Sequence, residues 1–137
     1  MARLVVDTNC LIQSLPSWSP YHSLWLSLMD GRNQLCISNE ILTEYQEILA
    51  SHISPIIAEQ VISRIINSPY TIQIIPYYNF ELIKTDPDDN KFVDCAVACA
   101  AKFIVTEDKH FNVLKSIEFP KVEITTLDEF MKFMRDH

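Results

Sequence analysis

Two short apolar runs that each stop at polar side chains constrain the fold of this chain most strongly. The run at 3–6 leads directly into Asp7, and the β-branched run at 103–106 closes on Asp108. Such runs are typical of strands that are buried on both faces, as in parallel sheets. In an open α/β sheet, the carboxyl ends of neighbouring parallel strands line a polar crevice. We therefore expect Asp7 and Asp108 to face the same ligand site.

Short apolar runs alternate with helical patterns along the whole chain. We predict strands near 3–6, 34–37, 71–75, 103–106 and 122–125. Such alternation is typical of an α/β fold, in which helices cover both faces of a mostly parallel central sheet, here of about five strands. A chain of 137 residues is long enough for one core and too short for two ordinary domains. We therefore expect a single three-layer α/β/α domain over residues 1–137.

Two local motifs predict where helices begin. Ser54 followed by Pro55 offers an N-cap and a proline at the first helical position. Thr126 and Glu129 have the spacing of a capping box, in which each residue satisfies a backbone amide of the other.

One glutamate of the second long helical segment is best placed to face inward. An apolar stripe at positions 41, 42, 45, 48 and 49 predicts the face that packs on the sheet. Glu44 lies nearer to this stripe than Glu40 or Glu47. Periodicity alone leaves open whether Glu44 enters a site or borders the core and reaches solvent.

Residues 85–92 read Thr-Asp-Pro-Asp-Asp-Asn-Lys-Phe and predict a polar turn before an Ala-rich helix that ends near Lys102. Carboxylates at a helix N-terminus complement its free amides and its dipole. Three carboxylates exceed what capping needs, and the small side chains of the helix permit a close approach to the sheet. We expect this turn to lie near Asp7 and Asp108 and to share a cation with them.

The available ligand atoms indicate a hard cation. Asp, Glu, Asn and Thr side chains offer oxygen atoms, which Mg²⁺ and Mn²⁺ prefer. Two such ions about 4 Å apart can bridge a phosphodiester, activate water and stabilise the leaving oxygen, as nucleases do. The single glycine, Gly31, excludes dinucleotide-binding and Walker loops, because both need several glycines. The histidines lie in no recognisable nucleophile motif; they are His22, His52, His110 and His137.

Composition excludes several other classes of protein. The net charge of −7 argues against a broad basic surface for nucleic acid, although carboxylates gathered around cations explain part of it. No apolar stretch approaches the roughly 20 residues that cross a bilayer, and the N-terminal run lacks a signal-peptide pattern, so we expect a cytoplasmic protein. The four cysteines form no CxxC pair, which favours buried free thiols over disulfides or a zinc site.

Taken in order along the chain, these motifs resemble the PIN-domain family, and most closely its VapC-like toxin branch. The motifs are Val5-Val6-Asp7-Thr8-Asn9, Glu44 in the second long helical segment, Asp86-Pro87-Asp88-Asp89-Asn90-Lys91-Phe92 and Ile104-Val105-Thr106-Glu107-Asp108. The resemblance covers nearly the whole chain, and the combination of motifs is more specific than any one of them.

The resemblance implies a compact α/β/α domain with Mg²⁺- or Mn²⁺-dependent endonuclease activity, usually on single-stranded RNA. Its acidic quartet, which would bind the metal, maps onto Asp7, Glu44, Asp89 and Asp108. Matching positions that orient the carboxylates and water are Thr8, Asn9 and Thr106. Toxins of this branch are often held inactive by a small antitoxin and commonly form homo-oligomers, so we expect both kinds of partner here.

The third acidic residue departs from the usual pattern. Many PIN domains carry it at the start of the Ala-rich helix, where this chain has Asn90. We assign the role to Asp89, with Asp88 beside it and Asp94, one turn into the helix, as a replacement or additional ligand.

Two questions stay open at the level of sequence. The acidic pocket could belong to a non-catalytic interaction module that is retained for stability or that captures an arginine of a partner. Near the predicted crevice, Lys91, Lys109 and Lys115 are candidates for contact with the RNA backbone, or they are solvated surface lysines.

Overall fold

A central parallel sheet organises the protein, which a computed structural model describes over residues 1–76 and 78–137. Its strands are β1 (Arg3–Val6), β2 (Gln34–Ile37), β3 (Ile72–Gln73), β4 (Phe103–Val105) and β5 (Ile124–Thr125). They lie in the order β3-β2-β1-β4-β5, and every neighbouring pair is parallel. The predicted mostly parallel sheet of about five strands is therefore confirmed.

Helices connect the strands. In the two described ranges they are α1 (Thr8–Ser14), α2 (His22–Asp30), α3 (Asn39–His52), α4 (Pro55–Asn67), α5 (Asn90–Ala98) and α6 (Leu127–Asp136). Two 3-10 helices cover Pro87–Asp89 and Lys109–Ser116. None of the helices in these ranges has both the length and the apolar character to cross a membrane.

The strand β1 lies at the centre of the sheet and is covered on both faces. Three consecutive residues, Leu4, Val5 and Val6, are fully buried, although neighbouring side chains of a strand point to opposite faces. Helix α5 packs against β1, β2 and β4. This burial on two sides confirms the three-layer α/β/α arrangement.

The predicted helix starts are confirmed by their hydrogen bonds. The Ser54 side chain accepts from the Ile57 amide at 3.0 Å, with Pro55 at the first helical position. In α6, the Thr126 side chain accepts from the Glu129 amide at 3.2 Å, and the Glu129 carboxylate accepts from the Thr126 amide at 2.9 Å. Local side-chain chemistry thus fixes both helix starts.

Several predicted boundaries are wrong by one to a few residues, and strand β4 ends at Val105, one residue before its predicted end. Strand β3 is shorter than predicted, and its start is displaced because the Thr71 amide donates within a turn to Ser68. Strand β5 is limited to the two residues that pair with Ile104 and Val105. Helix α5 ends well before Lys102, since Ala100 adopts a left-handed φ of 53° where the chain turns into β4.

The strand order creates a crevice beside β1. The chain leaves β1 towards β2 on one side and later adds β4 on the other side, so the carboxyl ends of β1 and β4 flank a topological switch point. Ligands of open α/β sheets bind at such points. The residues that directly follow β1 and β4 therefore define where to look for a site.

Candidate metal centre

Asp7 is held at the switch point by the strand that neighbours its own. Val6 is paired with Val105 across β1 and β4, and the Asp7 amide donates to the Val105 carbonyl at 2.9 Å. The Thr106 hydroxyl donates to Asp7 Oδ2 at 2.8 Å. Because Thr106 directly follows β4, the register of the two strands sets the direction of the Asp7 carboxylate.

Other carboxylates share the electrostatic environment of Asp7. Burial raises the pKa of Asp7, the Thr106 hydrogen bond lowers it, and the negative charges of Glu44 and Asp108 raise it further. The net effect is an increase above the usual range for aspartate. A buried carboxylate surrounded by like charges is stabilised by a cation.

Asp108 is oriented by a local turn. Its amide donates to the Thr106 hydroxyl at 3.0 Å, and its Oδ1 accepts from the His110 amide at 2.9 Å. The second bond caps the 3-10 helix Lys109–Ser116, as Asp side chains commonly do at turns. Thr106 therefore connects the carboxylate of Asp7 with the backbone of Asp108.

Glu44 enters the same region from α3. It is half-buried, whereas Glu40 and Glu47 on the same helix are exposed, as the apolar stripe predicts. The Thr8 hydroxyl donates to Glu44 Oε2, and Lys91 Nζ lies 2.7 Å from Glu44 Oε1. Both oxygens of Glu44 therefore have a partner.

Ligand atoms also converge beside Asp108. Within residues 1–76 and 78–137, one group of potential metal ligands has atoms that all lie within 4.8 Å of one another: Asp86, Asp89, Asp108 and His110. His110 Nδ1 lies 3.2 Å from Asp108 Oδ1 and 3.8 Å from Asp89 Oδ2. Three carboxylates and an imidazole therefore meet at one point.

The Asp89 carboxylate shows that this group fits a cation. Its Oδ2 atom is buried and accepts no hydrogen bond from the described part of the chain. Burial, followed by the charges of Asp86, Asp108 and Asp7, raises the pKa of Asp89 to about 7. A buried carboxylate oxygen without a donor is costly, and a hard divalent cation with oxygen ligands would relieve that cost.

Most of the chain matches one known protein family. Residues 3–110 match the family model described as the PIN domain. The chain belongs to the PIN-domain family. A comparison with curated proteins gave no match.

Solved structures with the same fold include VapBC structures bound to DNA. VapBC2 from Rickettsia felis bound to a promoter DNA fragment matches with 17% identity and a TM-score of 0.63, over 90% of this chain and 98% of that chain. DNA-bound VapBC from Salmonella typhimurium matches with 16% identity and a TM-score of 0.61, over 93% and 99%. The RRP44 PIN domain of T. brucei matches with 15% identity and a TM-score of 0.55, over 98% and 82%. These likenesses show that the PIN fold is shared.

Three other residues of this PIN domain that the sequence singled out are not members of the four-ligand group. Asp94 is buried away from the four-ligand group, and its Oδ1 accepts from the Phe80 amide at 3.0 Å. Asn9 is exposed on the first turn of α1, and Asp88 is exposed before α5. Of the three carboxylates considered for the third acidic position, Asp89 is the one that lies beside Asp108.

Asn90 has a structural role where many PIN domains carry an acidic residue. Its Oδ1 accepts from the Ile83 amide at 2.9 Å, and its Nδ2 donates to the Ile83 carbonyl at 2.8 Å. An amide makes both bonds at once, whereas a carboxylate lacks the donor. Asn90 thus holds the segment before α5 against the start of that helix.

Sequence reasoning missed two members of the four-ligand group as ligands, Asp86 and His110. Both left a signal, because Asp86 belongs to the acidic turn and His110 follows Asp108 by two residues. The pairing of Lys91 with Glu44 left none, since the two residues belong to different helices.

Proposed function

We propose that this PIN domain is a Mg²⁺- or Mn²⁺-dependent endoribonuclease that cleaves single-stranded RNA, and that it acts as the toxin of a toxin–antitoxin pair. One observation carries the proposal: Asp86, Asp89, Asp108 and His110 have ligand atoms within 4.8 Å of one another, and Asp89 Oδ2 is buried there with no hydrogen-bond donor among the described residues. The acidic quartet is Asp7, Glu44, Asp89 and Asp108.

The ligand set supports a divalent cation with hydrolytic chemistry. Carboxylate oxygens suit Mg²⁺ and Mn²⁺. A divalent ion at this place would lower the pKa of water and stabilise the negative charge that develops on a phosphodiester.

The residues around the quartet position it. Thr106 fixes the direction of Asp7 and accepts from the Asp108 amide, and Thr8 fixes Glu44 from α1. When no cation is present, Asp89 retains its proton to a higher pH than an ordinary aspartate, because burial and like charges raise its pKa to about 7. Binding of a cation would release that proton and complete the charge balance.

The exposed edge of the site suits an extended substrate. Lys109 and Lys115 are exposed on the 3-10 helix that begins at Asp108, where they can reach phosphates of a strand laid across the site. The charge of −7 leaves no broad basic surface for a duplex. This combination favours an unstructured strand, and the family resemblance favours RNA.

The central experiment compares cleavage of a labelled, unstructured RNA by the wild type and by Asp7→Asn, with Mg²⁺, Mn²⁺ or EDTA. We expect cleavage only with a divalent cation. Asp7→Asn should lower the rate at least about a thousandfold, since metal-assisted stabilisation supplies several kcal/mol. The matched control is Asp136→Asn at the exposed end of α6, which should cleave at the wild-type rate.

Other results would reject parts of this proposal. Cleavage that persists in EDTA at the wild-type rate would reject the metal dependence. Intact RNA in all samples, together with no calorimetric signal for Mn²⁺, would favour a non-catalytic interaction module. A labelled single-stranded DNA of the same sequence tests the preference for RNA.

The toxin assignment is supported by the similar VapBC structures, which are complexes with DNA, and by a similar FitAB structure bound to a DNA fragment. Inducible expression of the wild type should arrest bacterial growth, whereas Asp7→Asn should not. Co-expression of a small protein encoded beside this gene should restore growth if it is the antitoxin. Size-exclusion chromatography with light scattering tests the proposed homo-oligomer.

A further inference from the structure

The ammonium group of Lys91 lies among the carboxylates of the proposed site. Its Nζ atom is 2.7 Å from Glu44 Oε1 and donates to the Asp88 carbonyl at 2.9 Å. The Lys91 side chain is only 10% exposed, which is unusual for a lysine. Lys91 is therefore a fixed cation and not a solvated surface lysine.

This location needs a compensating partner. Lys91 lies in the first turn of α5, where the positive end of the helix dipole opposes a cation. The Glu44 carboxylate, 2.7 Å from the ammonium, is that partner.

The potential ligands of the site fall into two sets. One set is the four-ligand group that includes Asp89, Asp108 and His110, and the other is the carboxylate of Glu44. Glu44 is not a member of that group, and its two oxygens are engaged by Thr8 and Lys91. Glu44 thus already has a cation, while the Asp89 oxygen has no donor within the described residues.

We propose that Lys91 takes the place of a second divalent cation at Glu44, so that each chain binds one divalent ion. A divalent ion on Glu44 would be repelled by the ammonium, which already contacts Glu44 Oε1 at 2.7 Å. Lys91 is then a positioning residue that neutralises Glu44. This inference rests on the proposed metal-dependent function and specifies its metal stoichiometry.

The test counts Mn²⁺ ions bound per chain, by equilibrium dialysis with electron paramagnetic resonance and by calorimetry. We expect one ion for the wild type and two for Lys91→Met, because the loss of the ammonium group frees the Glu44 carboxylate. Lys84→Met is the matched control, since Lys84 is an exposed lysine of the segment before α5. It should bind one ion.

Two further variants separate charge from side-chain shape. Lys91→Arg keeps the positive charge and should bind one ion. The double variant Lys91→Met with Glu44→Gln should also return to one ion, because the second ion needs the Glu44 carboxylate. Circular dichroism and a thermal melt verify the fold of each variant.

Several results would overturn the inference. Two ions on the wild type would do so even if Lys91→Met fails to fold, and so would a single ion on a folded Lys91→Met. Either result, obtained with a protein that cleaves RNA in a metal-dependent way, leaves the proposed nuclease function intact. No Mn²⁺ binding by the wild type would reject both.

Discussion

The two ends of helix α5 differ in what they contribute to this PIN domain. Its N-terminal end carries Asn90 and Lys91 and follows Asp89, whose Oδ2 atom accepts no hydrogen bond from the described residues. Its C-terminal half packs small apolar side chains, among them Cys95 and Ala96, against the sheet. One end concentrates charge that is unfavourable without a cation, and the other buries apolar surface that stabilises the fold.

This difference explains how the fold holds a cluster of like charges in place. Close packing at the C-terminal half fixes the position of the helix on β1, β2 and β4. The N-terminal end then presents its polar groups at the switch point because the rest of the helix is held. We expect substitutions at the two ends to separate activity from stability.

The largest effect should come from the site that the N-terminal end of α5 adjoins, where hydrogen bonds through Thr106 link Asp7 with Asp108. Thr106→Val removes the hydroxyl that donates to Asp7 and accepts from the Asp108 amide. RNA cleavage should fall about 10- to 100-fold, as is typical when a residue that orients a metal ligand is lost. Thr125→Val, a buried threonine on the neighbouring strand, should leave the rate within about twofold of wild type. Equal loss in both variants would show that the effect comes from sheet packing.

The second effect is a pH-dependent loss of stability from Asp89. Burial, with the charges of Asp86, Asp108 and Asp7, raises its pKa from 3.8 to about 7. Between these two values the folded state retains the proton that the unfolded state has lost. In EDTA, Asp89 should therefore leave the free energy of unfolding undiminished below about pH 4. The free energy of unfolding should fall as the pH rises from there to about 7.

Asp89→Asn should remove this decrease. At pH 8 in EDTA, the variant should exceed the wild type in free energy of unfolding by on the order of 2 kcal/mol, and at pH 4 the two should be similar. Urea unfolding at both pH values measures the difference. Parallel pH profiles for the wild type and Asp89→Asn would contradict the assignment, and Asp136→Asn supplies the profile of an exposed aspartate.

A third effect concerns the attachment of the segment before α5. Asn90→Asp keeps the acceptor for the Ile83 amide but places a carboxylate against the Ile83 carbonyl. The free energy of unfolding should fall by about 2 kcal/mol, and proteolysis within residues 78–86 should become faster. Asn67→Asp, at the exposed end of α4, should lower stability by less than about 1 kcal/mol, because it loses only an exposed bond to Ser63 and adds a charge at a helix C-terminus. Unchanged proteolysis in Asn90→Asp would argue against the anchoring role.

The smallest effect should arise at the other end of the same helix. Cys95→Ala removes a buried sulfur and should lower the free energy of unfolding by about 1 kcal/mol. Cleavage and Mn²⁺ stoichiometry should stay at wild-type values, because Cys95 packs in the core. A loss of activity larger than the loss of stability would show that the two ends of α5 are not independent.

Much of the fold was predictable because its signals are local. The apolar runs at β1 and β4 marked the central strands, and Thr126 and Glu129 marked the start of α6. Two of the wrong boundaries, the start of β3 and the end of α5, were decided by a turn at Thr71 and a left-handed residue at Ala100. Those backbone conformations depend on where the chain goes next and not on the pattern before it.

The sequence by itself determined the parallel sheet, the ends of its central strands and the presence of Asp7 and Asp108 at those ends. Only the tertiary structure decided that Asp89 lies beside Asp108 and that Lys91 pairs with Glu44. Strand and helix patterns follow from neighbours a few residues apart. The Glu44–Lys91 contact instead depends on how α3 and α5 pack on the sheet, and no local pattern specifies that packing.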